Sequence, residues 1–466
     1  MHLSHEEDDY NISLSRFESM LKTNKVFFFD SEEFEEIILH YLDMGKASLA
    51  KKALKLALEQ HPKSTGLKLV QIEMLIYDDK LEQAEKLLNE LYAIEPHNEE
   101  IYIQKASIYS KRDRHELAVS ELEEALKYTD DLADVYNLMG MEYLFLDNLE
   151  KAKYCFIKCL EDDIEDQSAL YNVVYCFEFL DQYQDAINYL NSYIDRNPYS
   201  EIAWHQQGRL YYIIKDYENA LRCFDYATIV DDTFIGAYIE KGKSLERLKR
   251  FEEAIACFKQ TMEFEAPTSY ALLRIGKCYE KLGDKSKALK YYNQTVHEDP
   301  LLDKGWIAIT DFYIRQKSFQ KALYFANKAL SIDNENQRYW KRYATINREL
   351  NFFEEAELGY RKAVGLGDSD FDTWLFWSDI LQFLGEFETA ISTLIQASEF
   401  FAEESEIEYR LAGLYFMIKD VEKGKFHLNK ALQINASHRI LLEELFPVIW
   451  DQKDVQNVIS KFLKSK

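Results

Sequence analysis

Six prolines and fifteen glycines in 466 residues leave almost no material for flexible linkers, so a continuous array of regular elements is expected rather than tethered domains. Long apolar runs are missing too. None approaches the roughly 18 residues of a membrane-spanning helix, and no membrane insertion is expected. Cations are outnumbered, 56 Lys and Arg against 82 Asp and Glu, for a formal charge of −26. That balance repels nucleic-acid backbones and argues against a nucleic-acid partner. The opening MHLSHEEDDYN is acidic where a signal peptide has a positive start and an apolar core, so a cytoplasmic protein is expected. Only six cysteines occur, and five recur at shared registers: Cys155, Cys223 and Cys257 at one, Cys176 and Cys278 at another. They read as small packing residues. Cys155 and Cys159 lie one helical turn apart, but no second pair completes a zinc site, so no metal is assigned. GxSxG, HExxH and phosphate-binding glycine loops are absent, and Gly365 and Gly367 read as a helix end and a turn. With ten scattered histidines and no such motif, neither a catalytic residue nor a cofactor is assigned, and the chain is not expected to be an enzyme.

What is present is a period. In residues 201–234, Trp204, Gly208, Tyr211, Ala220, Phe224 and Ala227 are spaced by three or four, with one gap of nine. The short spacings keep side chains on one helix face, and the gap is a tight turn between two helices. Ala50, Ala84, Ala118, Ala152, Ala186, Ala220, Ala254, Ala288, Ala322, Ala356 and Ala390 then recur every 34 residues, with Gly424 in the twelfth place. A small residue belongs where two helices approach most closely, and Gly424 is expected to loosen the last hairpin. This order resembles the tetratricopeptide repeat, in a bacterial-type array of about twelve copies. The frame divides the chain into 31–64, 65–98, 99–132, 133–166, 167–200, 201–234, 235–268, 269–302, 303–336, 337–370, 371–404 and 405–438.

The resemblance implies an all-α fold, a right-handed superhelical α-solenoid of stacked antiparallel helix pairs. Residues 1–30 are expected to form an N-terminal cap, with Ile12, Leu14, Phe17, Met20 and Leu21 on an amphipathic helix and Val26 to Phe29 as an apolar run. Asp30 and Glu33 read as a capping box. Residues 439–466 are expected to supply capping helices, with Pro447 breaking the first. The tryptophans Trp306, Trp340 and Trp374 are read as stacking residues between neighbouring helices.

In the resembled family the first helix of each pair lines a groove through unit positions 2, 5, 6, 9, 12 and 13. Projected here, the first repeat offers Glu32, Glu35, Glu36 and Asp43. The fourth to sixth offer an amide and aromatic surface of Asn137, Tyr171, Asn172, Tyr175, Phe179, His205, Gln206, Arg209 and Tyr212. The seventh to tenth turn basic: Lys243, Arg247, Arg274, Lys277, Lys281, Lys304, Arg315, Arg338, Lys341 and Arg342, interleaved with Glu240, Glu246, Glu280, Asp311 and Glu349. The cations suit an acidic or peptide-like segment of another protein, with Arg338 and Arg342 placed for bidentate contacts; the alternative is a solvated face of i,i+4 pairs. The family's two-carboxylate clamp is not expected, because Leu273, Lys277 and Ala308 occupy three of its places. The expected function is a non-catalytic protein-interaction scaffold. The alternative is a substrate-recruiting subunit of an enzyme complex whose catalytic activity lies on another chain.

Overall fold

The computed structural model describes residues 3–23, 27–264 and 268–465, and every regular element among them is a helix. The chain forms two compact units, Met1–Asp232 and Thr233–Lys466. The first contains an opening helix, Leu3–Thr23, and six helix pairs: Ser31–Asp43 with Ala47–Gln60, Thr65–Tyr77 with Leu81–Tyr92, Glu99–Lys111 with His115–Ala125, Leu132–Phe145 with Leu149–Asp162, Gln167–Phe179 with Tyr183–Arg196, and Glu201–Ile213 with Tyr217–Val230. The second contains six more: Ile235–Arg247 with Phe251–Phe264, Ser269–Lys281 with Lys285–Glu298, Asp303–Arg315 with Phe319–Ile332, Gln337–Glu349 with Phe353–Gly365, Phe371–Phe383 with Phe387–Phe400, and Ser405–Met417 with Val421–Asn435. Within each unit every helix packs on its sequence neighbours, so each unit is an α-solenoid of stacked antiparallel pairs. No described helix is long and apolar enough to cross a membrane.

One backbone device makes all twelve hairpins. The fifteenth residue of each unit of the frame adopts a left-handed conformation, with φ between +54° and +83°. It is glycine only at Gly45, Gly283 and Gly385; elsewhere it is Asp79, Asp113, Asp147, Asp181, Lys215, Lys249, Lys317, Asn351 or Lys419. A residue with positive φ turns the chain between two helices in very few steps. Asp and Asn tolerate that geometry better than Lys, which has no side-chain compensation for it.

Two packing contacts set the helix spacing. The eleven period-locked alanines are fully buried. At Gly140, Gly208, Gly242 and Gly276, a Cβ would fall 2.6 or 2.7 Å from the ring of Phe156, Phe224, Phe258 or Tyr292 on the partner helix. Those rings fill the space that glycine leaves, so the two positions are complementary. Gly424 does not leave its hairpin loose: the Phe416 ring lies over it, within 3.0 Å of where a Cβ would stand. The aromatic at the fourth place has a polar task. Trp204, Trp306 and Trp340 donate their indole N–H to the carbonyls of Pro198, Pro300 and Asn334, at 2.9, 2.9 and 2.7 Å, and Tyr102 donates to Pro96 at 2.7 Å. Each bond spans six residues and pins the turn entering its hairpin. Trp374 instead packs against Trp377 and Phe400.

At the N-terminal end Phe17, Met20 and Phe29 are buried against Phe34, Ile37, Ile38 and Tyr41. Leu21 and Phe28 remain exposed, with Phe28 edge-on to His61. Glu33 accepts the Asp30 N–H at 2.9 Å, one arm of the capping box. The Ile12 side chain and Val26 lie outside the described residues. At the other end the helix Ile440–Leu445 stops before Pro447, which opens the next short helix, Pro447–Trp450. Leu442, Phe446 and Ile449, with Val455 and Ile459 from the last helix, are buried against the twelfth hairpin.

Candidate functional site

Successive first helices meet through a recurring contact, in which the ninth residue of one hairpin reaches the sixth of the next. In the first unit this joins Met141 to Asn172, whose Nδ2 lies 3.9 Å from the thioether sulfur. In the second it is ionic at two junctions. Arg342 donates to both oxygens of Asp311 at 2.6 and 3.0 Å, and Arg410 to both of Asp379 at 2.9 and 3.2 Å. Carboxylates one turn further along serve the same end: Glu246 accepts from Arg274, and Glu280 accepts from Arg315 at 2.8 and 2.7 Å. Paired N–H donors on a carboxylate fix both distance and orientation, so these act as rungs between hairpins.

The basic residues named from the sequence therefore divide in two. Arg274, Arg315 and Arg342 are engaged as rungs, so the Arg342 fork is directed at Asp311. Lys243 pairs with Glu240 at 2.7 Å, and Lys341 with Asp370 at 2.6 Å. Arg247 lines a cleft described below. Lys277, Lys281, Lys304 and Arg338 are exposed, and among the described residues their side chains take no hydrogen-bond or ion-pair partner.

Two adjoining clefts gather these groups within the second unit. One, about 460 Å³, is lined by Lys277, Lys281, Ala308, Asp311, Phe312 and Arg315 among others. The other, about 580 Å³, is lined by Glu246, Arg247, Arg274, Lys277, Cys278 and Lys281. Lys277 and Lys281, one helical turn apart, face both. By the ninth-to-sixth rule Lys277 would meet Ala308, and a methyl group cannot complete a rung. The eighth and ninth hairpins are therefore joined by Glu280 and Arg315 and lack a ninth-to-sixth rung of the kind that Asp311 and Arg342 make between the ninth and tenth. Although its tip reaches solvent, Lys277 is crowded by protein, and that desolvation together with Arg274 and Lys304 pulls its pKa below the ordinary lysine value against Glu246 and Asp311. A further opening, about 450 Å³ near Met74 and Leu75, already has its Asp78 carboxylate shared by Lys51 and Lys80 at 2.7 and 3.0 Å.

The amide and aromatic residues lie in the first unit. Tyr171, Tyr175 and Phe179 are exposed on one helix, with the Tyr175 and Phe179 rings 4.4 Å apart. Arg209 bonds Gln206 at 2.6 Å and reaches Glu178 at 3.4 Å, joining that helix to the next. His205 packs 5.7 Å from Phe224, and Tyr212 meets Tyr217 edge-on at 5.3 Å. Asn137 sits on the preceding first helix with a buried Oδ1 that takes no hydrogen bond. The aromatic groups thus lie in the first unit and most of the basic ones in the second.

Reading pairs within single helices misses the rungs, which join residues 28 to 35 apart. The signal was a carboxylate 31 residues before an arginine, at Asp311 and Arg342 and again at Asp379 and Arg410. The cysteines carry no comparable chemistry. All six are buried, and burial pushes the Cys155, Cys159 and Cys223 thiols up to about 12.

Three tetratricopeptide repeat family models match the chain, one over residues 75–141, one over 168–200 and 270–301, and one over 133–161 and 235–265. No curated protein matches. Among solved structures, the MamA protein is 19% identical over 37% of this chain and 94% of its own, with a TM-score of 0.33. The Cut9–Hcn1 hetero-tetramer of the APC/C is 13% identical over 99% and 95%, with a TM-score of 0.37. A tetratricopeptide repeat protein from Parabacteroides merdae is 16% identical over 52% and 96%, with a TM-score of 0.38.

Proposed function

The chain is a tetratricopeptide repeat protein, and from that premise we propose that it is a non-catalytic, cytoplasmic scaffold that holds an acidic, peptide-like segment of another protein against the first helices of its second unit. The observation that carries this reading is the unpartnered cation at the ninth place of the eighth hairpin. Where Asp311 and Asp379 hold an arginine of the following hairpin, Lys277 has Ala308 at the corresponding place, and its ammonium is available to a ligand. Glu246 and Asp311 offset its charge only in part, because they, like Glu280, are held by arginines, Arg274, Arg342 and Arg315. Lys304 and Arg338 extend the cationic surface to the two following first helices. A segment laid across these helices meets cations from three hairpins in succession.

The test is fluorescence anisotropy with a labelled peptide rich in Asp and Glu and the full-length chain. The double charge reversal Lys277→Glu with Lys281→Glu is expected to weaken binding at least tenfold while leaving the circular dichroism spectrum unchanged. Equal affinity of the two proteins would remove the site.

A further inference from the structure

We infer that the cleft between the eighth and ninth hairpins receives a phosphoryl dianion carried on a peptide, so that the bound segment is phosphorylated; this deepens, and rests on, the reading that this face holds an acidic segment.

The argument begins with which cations remain. Carboxylates are matched best by the planar fork of arginine, which gives two parallel bonds. Beside this cleft three arginines face carboxylates of the chain: Arg274 on Glu246, Arg315 on Glu280, Arg342 on Asp311. The unpartnered cations that line it are lysines. Lys277 and Lys281 project one turn apart from a single helix, and Lys304 on the following first helix is near enough to depress Lys277 electrostatically. Ammonium groups are compact point donors without a preferred plane. Several of them on neighbouring helices suit a tetrahedral group with three acceptor oxygens and nearly two charges better than a flat monoanion.

The lining acids would oppose a dianion if they were bare, and they are not. Glu280 accepts from Tyr292 at 2.8 Å as well as from Arg315, and Glu246 accepts from Cys278 at 3.2 Å as well as from Arg274. Ala308 offers only a methyl group to the opening of about 460 Å³ that it helps to line. Burial, and after it the neighbouring Arg274 and Lys304, lower the Lys277 pKa against the pull of Glu246 and Asp311. A nucleic acid would also bring phosphate, but its diester carries one charge per group along a polymer that a chain of charge −26 repels.

The experiment compares two labelled peptides of one sequence, with serine or phosphoserine between flanking Asp and Glu, titrated into the full-length chain and into Lys277→Met. The phosphoserine peptide is expected to bind the native chain at least tenfold more tightly than the serine peptide, and Lys277→Met is expected to remove that preference, weakening the phosphoserine peptide at least tenfold more than it weakens the serine peptide. In parallel, acetic anhydride labelling read by mass spectrometry is expected to show Lys277 protected by the phosphoserine peptide. Equal binding of the two peptides overturns the inference and leaves the acidic-segment reading standing. Failure of both peptides to bind overturns both. Protection by inorganic phosphate without any preference for the phosphoserine peptide overturns the peptide-borne source. A preference that survives in Lys277→Met places the dianion elsewhere and overturns the site. Ala308→Glu, which supplies the missing carboxylate without touching a lysine, is expected to reproduce the loss if Lys277→Met proves unstable.

Discussion

The first helices of the two units are built on one frame and differ in the balance of aromatic and ionic groups they present. In the first unit Met141, Phe145, Tyr171, Tyr175, Phe179 and Ile213 expose apolar and aromatic surface. In the second, the corresponding face carries arginine–carboxylate rungs and a break at Lys277 and Ala308. The hairpin itself is the same in both: buried alanine, glycine under an aromatic ring, and a left-handed turn residue. Folding is written at positions that hardly vary, and the two units differ at the sixth, ninth and thirteenth places. Surface chemistry can therefore change from one unit to the next without altering the stack.

The largest effect should come from the shared frame. Phe224→Ala in the first unit and Phe258→Ala in the second each remove a fully buried ring packed over glycine. Each is expected to cost about 3–5 kcal/mol in urea denaturation. Costs differing by more than about 2 kcal/mol would break the claim that both units use one core.

Next come the rungs, where the units should part. Arg410 is almost fully buried, and Arg410→Met leaves Asp379 facing protein without its partner. Because Asp379 keeps some solvent, the expected cost is about 2–3 kcal/mol, near the lower end for a broken buried pair. Asn172→Leu, at the equivalent contact with Met141, should cost under about 0.5 kcal/mol. Similar costs for both would show that the ionic rungs are ornamental.

Acid response should differ in sign between two carboxyls. Burial pushes Glu408 up, but hydrogen bonds from His427 and Lys430 at 2.7 and 2.6 Å outweigh it and hold the carboxyl below its ordinary 4.5. Its contribution is present above the unfolded value and lost as pH falls through the folded one. Glu408→Gln should thus destabilise at pH 7 by about 1–2 kcal/mol and flatten the acid limb of the melting curve. Burial, reinforced by Glu100, raises Glu73 instead, so its ionised form opposes folding. Glu73→Gln should raise the melting temperature at pH 7, with the gain shrinking as pH falls through the raised folded value. A loss of stability there would contradict the assignment.

The smallest effect is at the turns. Lys215 and Lys249 hold φ of +68° and +62°. Replacing either with glycine removes left-handed strain and should stabilise its hairpin by about 0.5 kcal/mol, in the first and second unit alike.

The frame was almost wholly legible. Helix pairs begin at the positions the alanine period demands, because a small residue at the closest approach and an aromatic at Phe224 or Phe258 have few structural alternatives. The left-handed residue escaped notice since aspartate and lysine occupy it more often than glycine, which is the usual marker. Gly424 misled for a related reason: its space is filled by Phe416, a residue of the preceding helix whose direction a linear reading does not give. Of the candidate site, the residues were legible and their partners were not. A list of inward cations does not distinguish Arg342, held by Asp311, from Lys277, opposite a methyl group, because the difference lies one hairpin away.

The most direct test of this division between frame and face is Ala308→Glu in the full-length chain. The substitution adds a carboxylate where Lys277 lacks one and touches neither the alanine period nor the turn. The account predicts that a labelled Asp- and Glu-rich peptide binds this variant at least tenfold more weakly, with a melting temperature unchanged or higher. Undiminished peptide affinity, with the variant folded, would contradict it.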